Sequence, residues 1–346
     1  MAKRAPFKLG KRQVAPGYRE TIDLPLSVLS DHTPVNLSVH VVHGRRPGPT
    51  MFVSAAIHGD EIIGVEIVRR LLNTPQLARL RGTLLAVPIV NAFGFMNHSR
   101  YLPDRRDLNR SFPGSEHGSL AARLANLFFQ QIVKRSDLGI DLHSAAIHRT
   151  NLPQVRVTEG SAKGLEMARA FGAPVILKSR VREGSLRGAA SLSGVECLLF
   201  EAGEALRFDE KAIRAGVSGI LRVMRHLEML PSKGIARPKA EPIQSSSSTW
   251  LRSPAGGLLR VFKSIGDQVN TGDVLGLVSD PFGELDTEIT ATVGGLIVGR
   301  SNMPVINEGD GLFHIAKIGT SDAAATLDTL NAQLDADPIF DEDEII

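Results

Sequence analysis

Residues Ser54 to Gly64, reading S-A-A-I-H-G-D-E-I-I-G, constrain this chain more than any other stretch. An apolar run from Met51 to Ile57 gives way at Gly59 to helical spacing at Ile62, Val65, Ile67, Val68, Leu71 and Leu72. That is the pattern of a strand end, a tight turn and a helix start. His58 is then held by the strand end and Glu61 by the first helical turn, so both can face a crevice beyond the strand's carboxyl end. A solvated turn whose carboxylate satisfies free helix amides would carry the same two residues. A metal site therefore requires a third ligand from elsewhere in the chain.

The flanking pattern is α/β. Val35 to Val42 alternates as a strand, and Thr83 to Val90 reads as the strand that follows the helix from about Glu61 to Leu72, giving a βαβ-like unit. His40 and His43 fall on a strand and its turn, away from the crevice. The first thirty-odd residues carry no regular pattern. Asn91 to Gly118 is a long polar segment, and a loop of that length in a compact domain is usually functional or mobile. Ser119 to Val133 is helical. Leu138 to Leu142 is the next strand and delivers His143 at its end, with Asp141 leaning to the same side two residues earlier.

Further on, Gln154 to Val157 reads as a short strand and Lys163 to Phe171 as a helix. Lys178 to Ser193 reads as a mobile rim. The apolar strand Val195 to Phe200 ends in Glu201, and a helix runs from about Asp209 to Leu227. Beyond it the segment rich in Pro, Lys and Ser reads as a linker, and short strands with Gly-containing turns follow. Ser253 to Leu259 and Ala291 to Ile297 look alike, and Gly-Asp turns recur at Gly266-Asp267, Gly272-Asp273 and Gly309-Asp310, the mark of a small β module with an internal pseudo-repeat. The expected organisation is an N-terminal extension over 1–34, a hydrolase domain over 35–232, a linker over 233–249, a β module over 250–318 and a frayed acidic tail over 319–346.

A chain of 346 residues can bury a core of this size, and 22% charged residues is ordinary for a globular protein. Cys197, the one cysteine, excludes an internal disulfide framework and a thiolate cluster, and its apolar neighbours suggest a buried thiol. A net charge of +3 with interspersed Lys and Arg and few aromatic residues gives no support for nucleic-acid binding. The basic start lacks the apolar segment of a secretory signal, and no run approaches a membrane span, so cytoplasmic residence is expected.

Three strand ends thus supply His58 with Glu61, His143 and Glu201. Two histidines and one glutamate form a catalytic zinc set, with one Zn2+ expected per chain. Glu201 stands apart as general base for the attacking water and proton donor to the leaving amine. Asn109 and Arg110 suit a substrate carboxylate, since guanidinium offers a planar two-pronged fork. Arg100 is placed to stabilise the developing oxyanion, and Asp107 to hold His58 through its second nitrogen. A solvated loop with surface ion pairs is the competing reading for the arginines.

Taken together, His58-Gly59-Asp60-Glu61, Asp107-Leu108-Asn109-Arg110-Ser111-Phe112-Pro113-Gly114, Asp141-Leu142-His143-Ser144 and Phe200-Glu201-Ala202-Gly203 resemble, in order, the motifs of the succinylglutamate desuccinylase and aspartoacylase family, related to the zinc carboxypeptidases. The resemblance covers about residues 35 to 318. It implies a carboxypeptidase-like mixed sheet flanked by helices and one zinc, with hydrolysis of the amide bond of an N-acyl amino acid. His58, Glu61 and His143 would be the ligands, Glu201 the base and proton shuttle, and Arg110 with Asn109 the carboxylate binder. Arg100-Tyr101 fits the family's Arg-Tyr, but the spacing that follows is longer than in aspartoacylase and leaves Arg105 and Arg106 as rivals. The C-terminal module resembles a biotinyl or lipoyl barrel-sandwich, yet its matching stretch Asp286 to Ala291 has no lysine. No covalent cofactor is expected there; the module would shape the entrance, restrict large substrates or support a subunit interface.

The expected partner is a small acylated molecule bearing a carboxylate, with no nucleic acid or membrane, and a homo-oligomer is compatible with the sequence. The rival readings are a carboxypeptidase acting on short peptides, an esterase of the same fold and a noncatalytic binding protein. The last would lack a ligand or the base, and this chain lacks neither.

Overall fold

The fold is described from a computed structural model, covering residues 4–319 and 323–336. Its N-terminal part is regular, against expectation. β1 (Phe7–Leu9) and β2 (Arg12–Val14) form a small ribbon, and β3 (Tyr18–Val28) pairs antiparallel with β4 (Pro34–His43). Ile22, Leu24 and Leu26 point inward along β3, and Pro25 falls at an outward position between them, a residue that a sequence reading takes as a strand breaker. Proline is tolerated here because β3 is the outer strand of its sheet, where a missing N–H breaks no ladder.

β5 (Arg46–Ala55) leads through α1 (Ile63–Asn73) to β6 (Arg81–Val87), and the two strands are parallel, as the βαβ reading requires. α2 (Ala92–Met96) and a short 3-10 turn at Leu108–Arg110 break up the long polar segment. α3 (Leu120–Gln131) precedes β7 (Leu138–Ala145), followed by β8 (Arg149–Thr158), α4 (Ala162–Phe171) and β9 (Val175–Ser179). The segment expected to be a mobile rim contains α5 (Leu186–Leu192), in which Leu186, Arg187 and Ala190 are buried. β10 (Glu196–Glu204) and α6 (Glu210–His226) complete this part.

At the centre of the sheet β10, β7, β5 and β6 run parallel, with β4 and β3 antiparallel on one side and β8 antiparallel on the other. Both faces are covered, which is why β7 is buried along its whole length and reads as an apolar run. Side chains alternate between two cores: Met51, Val53 and Ala55 of β5 face α1, α4 and α6, whereas Phe52 faces α3 and the N-terminal strands. Cys197 lies buried in the second core.

The stretch read as a linker holds β11 (Ile243–Ser245), paired parallel to β9. β12 (Ser248–Arg252), β13 (Gly257–Val261), β14 (Gln268–Val269), β15 (Val274–Ser279), β16 (Asp286–Thr290), β17 (Gly295–Ser301), β18 (Val305–Ile306) and β19 (Gly311–Ala316) form the C-terminal β region. A four-stranded sheet of β16, β15, β13 and β18 packs against β17 and β19 through Leu259, Val278, Ile297 and Phe313. The sequence repeat has a structural basis. Gly257 and Gly295 open equivalent strands, and a side chain on either would come within 2.2 Å of a neighbouring strand's carbonyl oxygen. Asp267, Asp273 and Asp310 each accept a backbone N–H three residues back, closing the Gly-Asp turns.

β17 also pairs antiparallel with β8, so the main sheet continues without a break into the β region. Finally, α7 (Ala323–Asp335) packs on α6 with Leu327, Leu330 and Leu334 buried, where a frayed tail was expected; of that tail, 320–322 and 337–346 lie outside the described residues. No helix among the described residues is long and apolar enough to cross a membrane.

Candidate metal centre

His58 follows β5 in a tight turn that Gly59 makes possible: a Cβ there would stand 2.0 Å from the carbonyl carbon of Gly94. Glu61 closes the turn, its amide donating to the His58 carbonyl at 3.1 Å, and α1 starts two residues later than the sequence pattern places it. His143 arrives from β7. His58, Glu61 and His143 are all buried, and one ligand atom from each lies within 4.8 Å of the others.

The nitrogens are ordered. His58 Nδ1 stands 2.7 Å from Glu61 Oε1, and His143 Nδ1 stands 2.7 Å from Glu61 Oε2. Each imidazole turns its other nitrogen to a second carboxylate: His58 Nε2 to Asp107 Oδ1 at 3.0 Å and His143 Nε2 to Asp141 Oδ2 at 2.7 Å. Asp141 is itself fixed by Ser54, whose hydroxyl donates to Oδ1 at 2.7 Å. A carboxylate behind each imidazole holds its tautomer and raises its basicity, the arrangement that supports metal-binding histidines. This donor set fits a zinc ion.

The electrostatics agree. Burial alone would lower both histidines, but at His58 the charge of Glu61 and the hydrogen bond donated to Asp107 outweigh it, and at His143 the charges of Asp141 and Glu61 do; both end above the ordinary histidine value. Burial would raise Glu61, and the two imidazoliums overcome it, leaving the carboxyl well below the usual range. Asp107 is likewise depressed, against the effect of burial, by His58 and Arg100. The pocket is built to hold positive charge.

The remaining sequence candidates fall differently. Arg100 reaches the cluster, with Nη1 on Glu61 Oε1 at 2.9 Å and Nη2 on Asp107 Oδ2 at 3.3 Å. Its rivals do not: Arg105 is exposed, and Arg106 is exposed and pairs with Asp104 at 3.5 Å. Asn109 is buried, and its side-chain oxygen accepts the Leu186 amide at 2.9 Å, tying the polar loop to the start of α5. Arg110 is exposed, its Nη1 donating to the Asn109 carbonyl at 2.5 Å.

Glu201 sits beside His143 in the parallel register of β10 and β7, so the two side chains leave the same face of the sheet. The ladder shifts after Glu201, and Gly203 takes a φ of +69°. Arg156 of β8 pairs with Glu201 through Nη2 and Oε2 at 2.5 Å. Sequence reading missed both Arg156 and Ser54. Neither has a local signal, because each is brought in by a neighbouring strand whose register only the sheet reveals.

Comparison with known proteins agrees with this geometry. Residues 47–227, just over half of the chain, match the model of the succinylglutamate desuccinylase/aspartoacylase catalytic domain. The chain belongs to this family. As a succinylglutamate desuccinylase/aspartoacylase family member carrying the His-Glu-His cluster, it is a metal-dependent amide hydrolase. It is 27% identical over 288 residues to the N-alpha-acetyl-L-2,4-diaminobutyric acid deacetylase of Halomonas elongata, covering 79% of this chain and 84% of the relative. The fold matches the product-bound ectoine utilization protein EutE (DoeB) of Ruegeria pomeroyi with a TM-score of 0.78 at 24% identity, over 87% of this chain and 95% of the other. It also matches a family protein of Rhodobacter sphaeroides with a TM-score of 0.77 at 23% identity, over 87% and 96% of the two chains.

Proposed function

We propose that the protein removes a small acyl group, acetyl foremost, from an N-acyl amino acid, using one zinc held by His58, Glu61 and His143. The carrying observation is the convergence of both Nδ1 atoms on Glu61 with a carboxylate behind each ring. The acetyl choice draws support from the similarity to the diaminobutyric acid deacetylase.

A zinc held by these three residues would supply a Lewis acid to lower the pKa of water and polarise the amide carbonyl. The chain's own residues do the rest. Glu201, on the face of the sheet that carries His143, takes the proton of the attacking water and delivers it to the departing amine. Arg100, already turned to the cluster, donates to the oxygen on which charge develops. Asp107 and Asp141 keep the two imidazoles in place. Arg110, exposed beside the buried Asn109, offers its fork to the substrate carboxylate, while Asn109 fixes the loop.

Asn302, just after β17, donates to Thr150 Oγ1 at 2.6 Å and to Glu204 Oε2 at 2.9 Å, tying the β region to β8 and to the end of β10. A panel of N-acetyl and N-succinyl amino acids assayed beside C-terminal dipeptides and acetyl esters tests the assignment. Hydrolysis confined to acylated amino acids is expected, and cleavage confined to peptides would transfer the protein to the carboxypeptidase reading.

A further inference from the structure

A second cavity lies away from the metal centre. It is a groove of about 1860 Å³ at the opposite end of the sheet, lined by the C-terminal end of α1, the start of β5, the end of α6 and the segment that follows it. Arg46 opens β5 in this groove, and β5 leads to His58 at its other end. Nine residue steps at ~3.3 Å each put roughly 30 Å between groove and metal site. The groove lies outside the catalytic apparatus.

Its walls are strongly basic. Arg19, Arg45, Arg46, Arg79, Arg81, Arg169 and Arg237 line it and are all exposed, against three lining carboxylates, Glu166, Glu228 and Glu241. Two of those carboxylates are engaged, Glu166 with His226 at 3.2 Å and Glu241 with Arg169 at 4.0 Å. Among the described residues no ion pair is formed by the other six exposed arginines. Two further lining arginines have structural work: Arg225 Nη1 donates to the Ile235 carbonyl at 2.6 Å and Arg222 Nε to the Ala236 carbonyl at 3.2 Å, which pin the segment after α6. The six exposed guanidiniums repel one another across a shared groove, a cost that an anionic occupant would remove.

The structure also brings such an occupant to the rim. Near the end of α7, Gln333 accepts the Lys239 amide through Oε1 at 2.8 Å and donates through Nε2 to the carbonyl of Arg237, itself a groove residue, at 2.8 Å. Leu334 is buried in the same core cluster as Leu230 and Ile235. The sequence that follows is acidic, with Asp337, Asp341, Glu342, Asp343 and Glu344 and no Lys or Arg. Eight steps from Ala336 to Glu344 reach up to roughly 27 Å when extended, enough to lie along the groove.

We propose that this groove receives the acidic segment 337–344 of the same chain. The attraction is electrostatic, and tethering by α7 at the rim converts it into an intramolecular contact with an effective concentration on the order of millimolar.

The test uses the full chain, a variant with Asp337→Asn, Asp341→Asn, Glu342→Gln, Asp343→Asn and Glu344→Gln, and a fluorescent peptide of the sequence 335–346 read by anisotropy. The neutralised chain should bind the peptide at least about tenfold more tightly than the unaltered chain, whose own segment competes. That binding should weaken in raised salt. It should be lost when Arg46→Glu and Arg81→Glu, or in a second variant Arg79→Glu and Arg237→Glu, are added to the neutralised chain. Equal peptide affinity in the neutralised and unaltered chains would overturn the proposal, as would binding indifferent to both arginine pairs. Capture of tripolyphosphate with equal affinity by both chains would assign the groove to a free polyanion and overturn it as well.

Discussion

Each histidine of the centre lies between two carboxylates, Glu61 shared in the middle and Asp107 or Asp141 behind. Without a metal, protons fill that role, and the pH dependence of the metal-free protein follows. The histidines are raised in the folded state, so their contribution to stability is full below the unfolded value of ~6.5 and is lost as pH rises through the folded values. Glu61 and Asp107 are depressed, so theirs is full above the unfolded carboxylate range of ~4 and is lost as pH falls toward the folded values. Metal-free protein should therefore melt at its highest temperature near pH ~5 to 6 and markedly lower at pH ~9. A calorimetric series that rises steadily to pH 9 would contradict this. Replacement of Glu201 by Gln keeps the shape of β10 and should retain the metal while lowering kcat by about 10²–10⁴-fold; metal content and turnover measured on one preparation check it, and near-normal turnover would remove Glu201 as base. The sequence disclosed His58 and His143 because each stands at the end of an apolar run, and Glu61 because it opens the helical pattern that follows the first of them. Arg156 and Ser54 stayed hidden because their partners, Glu201 and Asp141, lie on other strands.

Among the elements, the turn between β5 and α1 is the one the site depends on most. Gly59 passes against the backbone of Gly94 and Phe95 with no space for a side chain, a Cβ falling 2.0 Å and 2.2 Å from their nearest atoms. Backbone cannot yield as a side chain does, so Gly59→Ala should cost on the order of 1–3 kcal/mol and displace His58 and Glu61 together. Thermal unfolding and zinc affinity measured in parallel should both fall; an unaltered melting temperature would show that the turn has slack. Central strands and amphipathic helices were legible because burial on two faces, or on one stripe, writes itself into the apolar pattern. β3 was not, since Pro25 disguises an edge strand, and β11 was not, being three residues in a proline-rich stretch. α5 was masked by its glycines and serines, and it is buried because Asn109 and Arg187 anchor it from within, Arg187 donating to Ser179 Oγ at 2.9 Å.

For the whole molecule, one sheet carries the logic. It runs from β3 through the four parallel strands that present the metal centre and on through β8 into β17 and β19 of the β region. The division into a hydrolase part and a β region is legible from the change in pattern near Trp250, whereas the pairing of β8 with β17 leaves no trace in either segment alone. The same sheet separates two chemistries, a carboxylate-rich pocket with the donors to hold a cation at one end and an arginine-lined groove at the other. The central claim is that hydrolysis of an N-acyl amino acid depends on one zinc at His58, Glu61 and His143. Its most direct test is turnover of an N-acetyl amino acid by chelator-treated protein titrated with Zn2+. Activity should be absent at the start, rise linearly and level off at one equivalent, and full turnover by the metal-free protein, or none at any zinc level, would contradict the account.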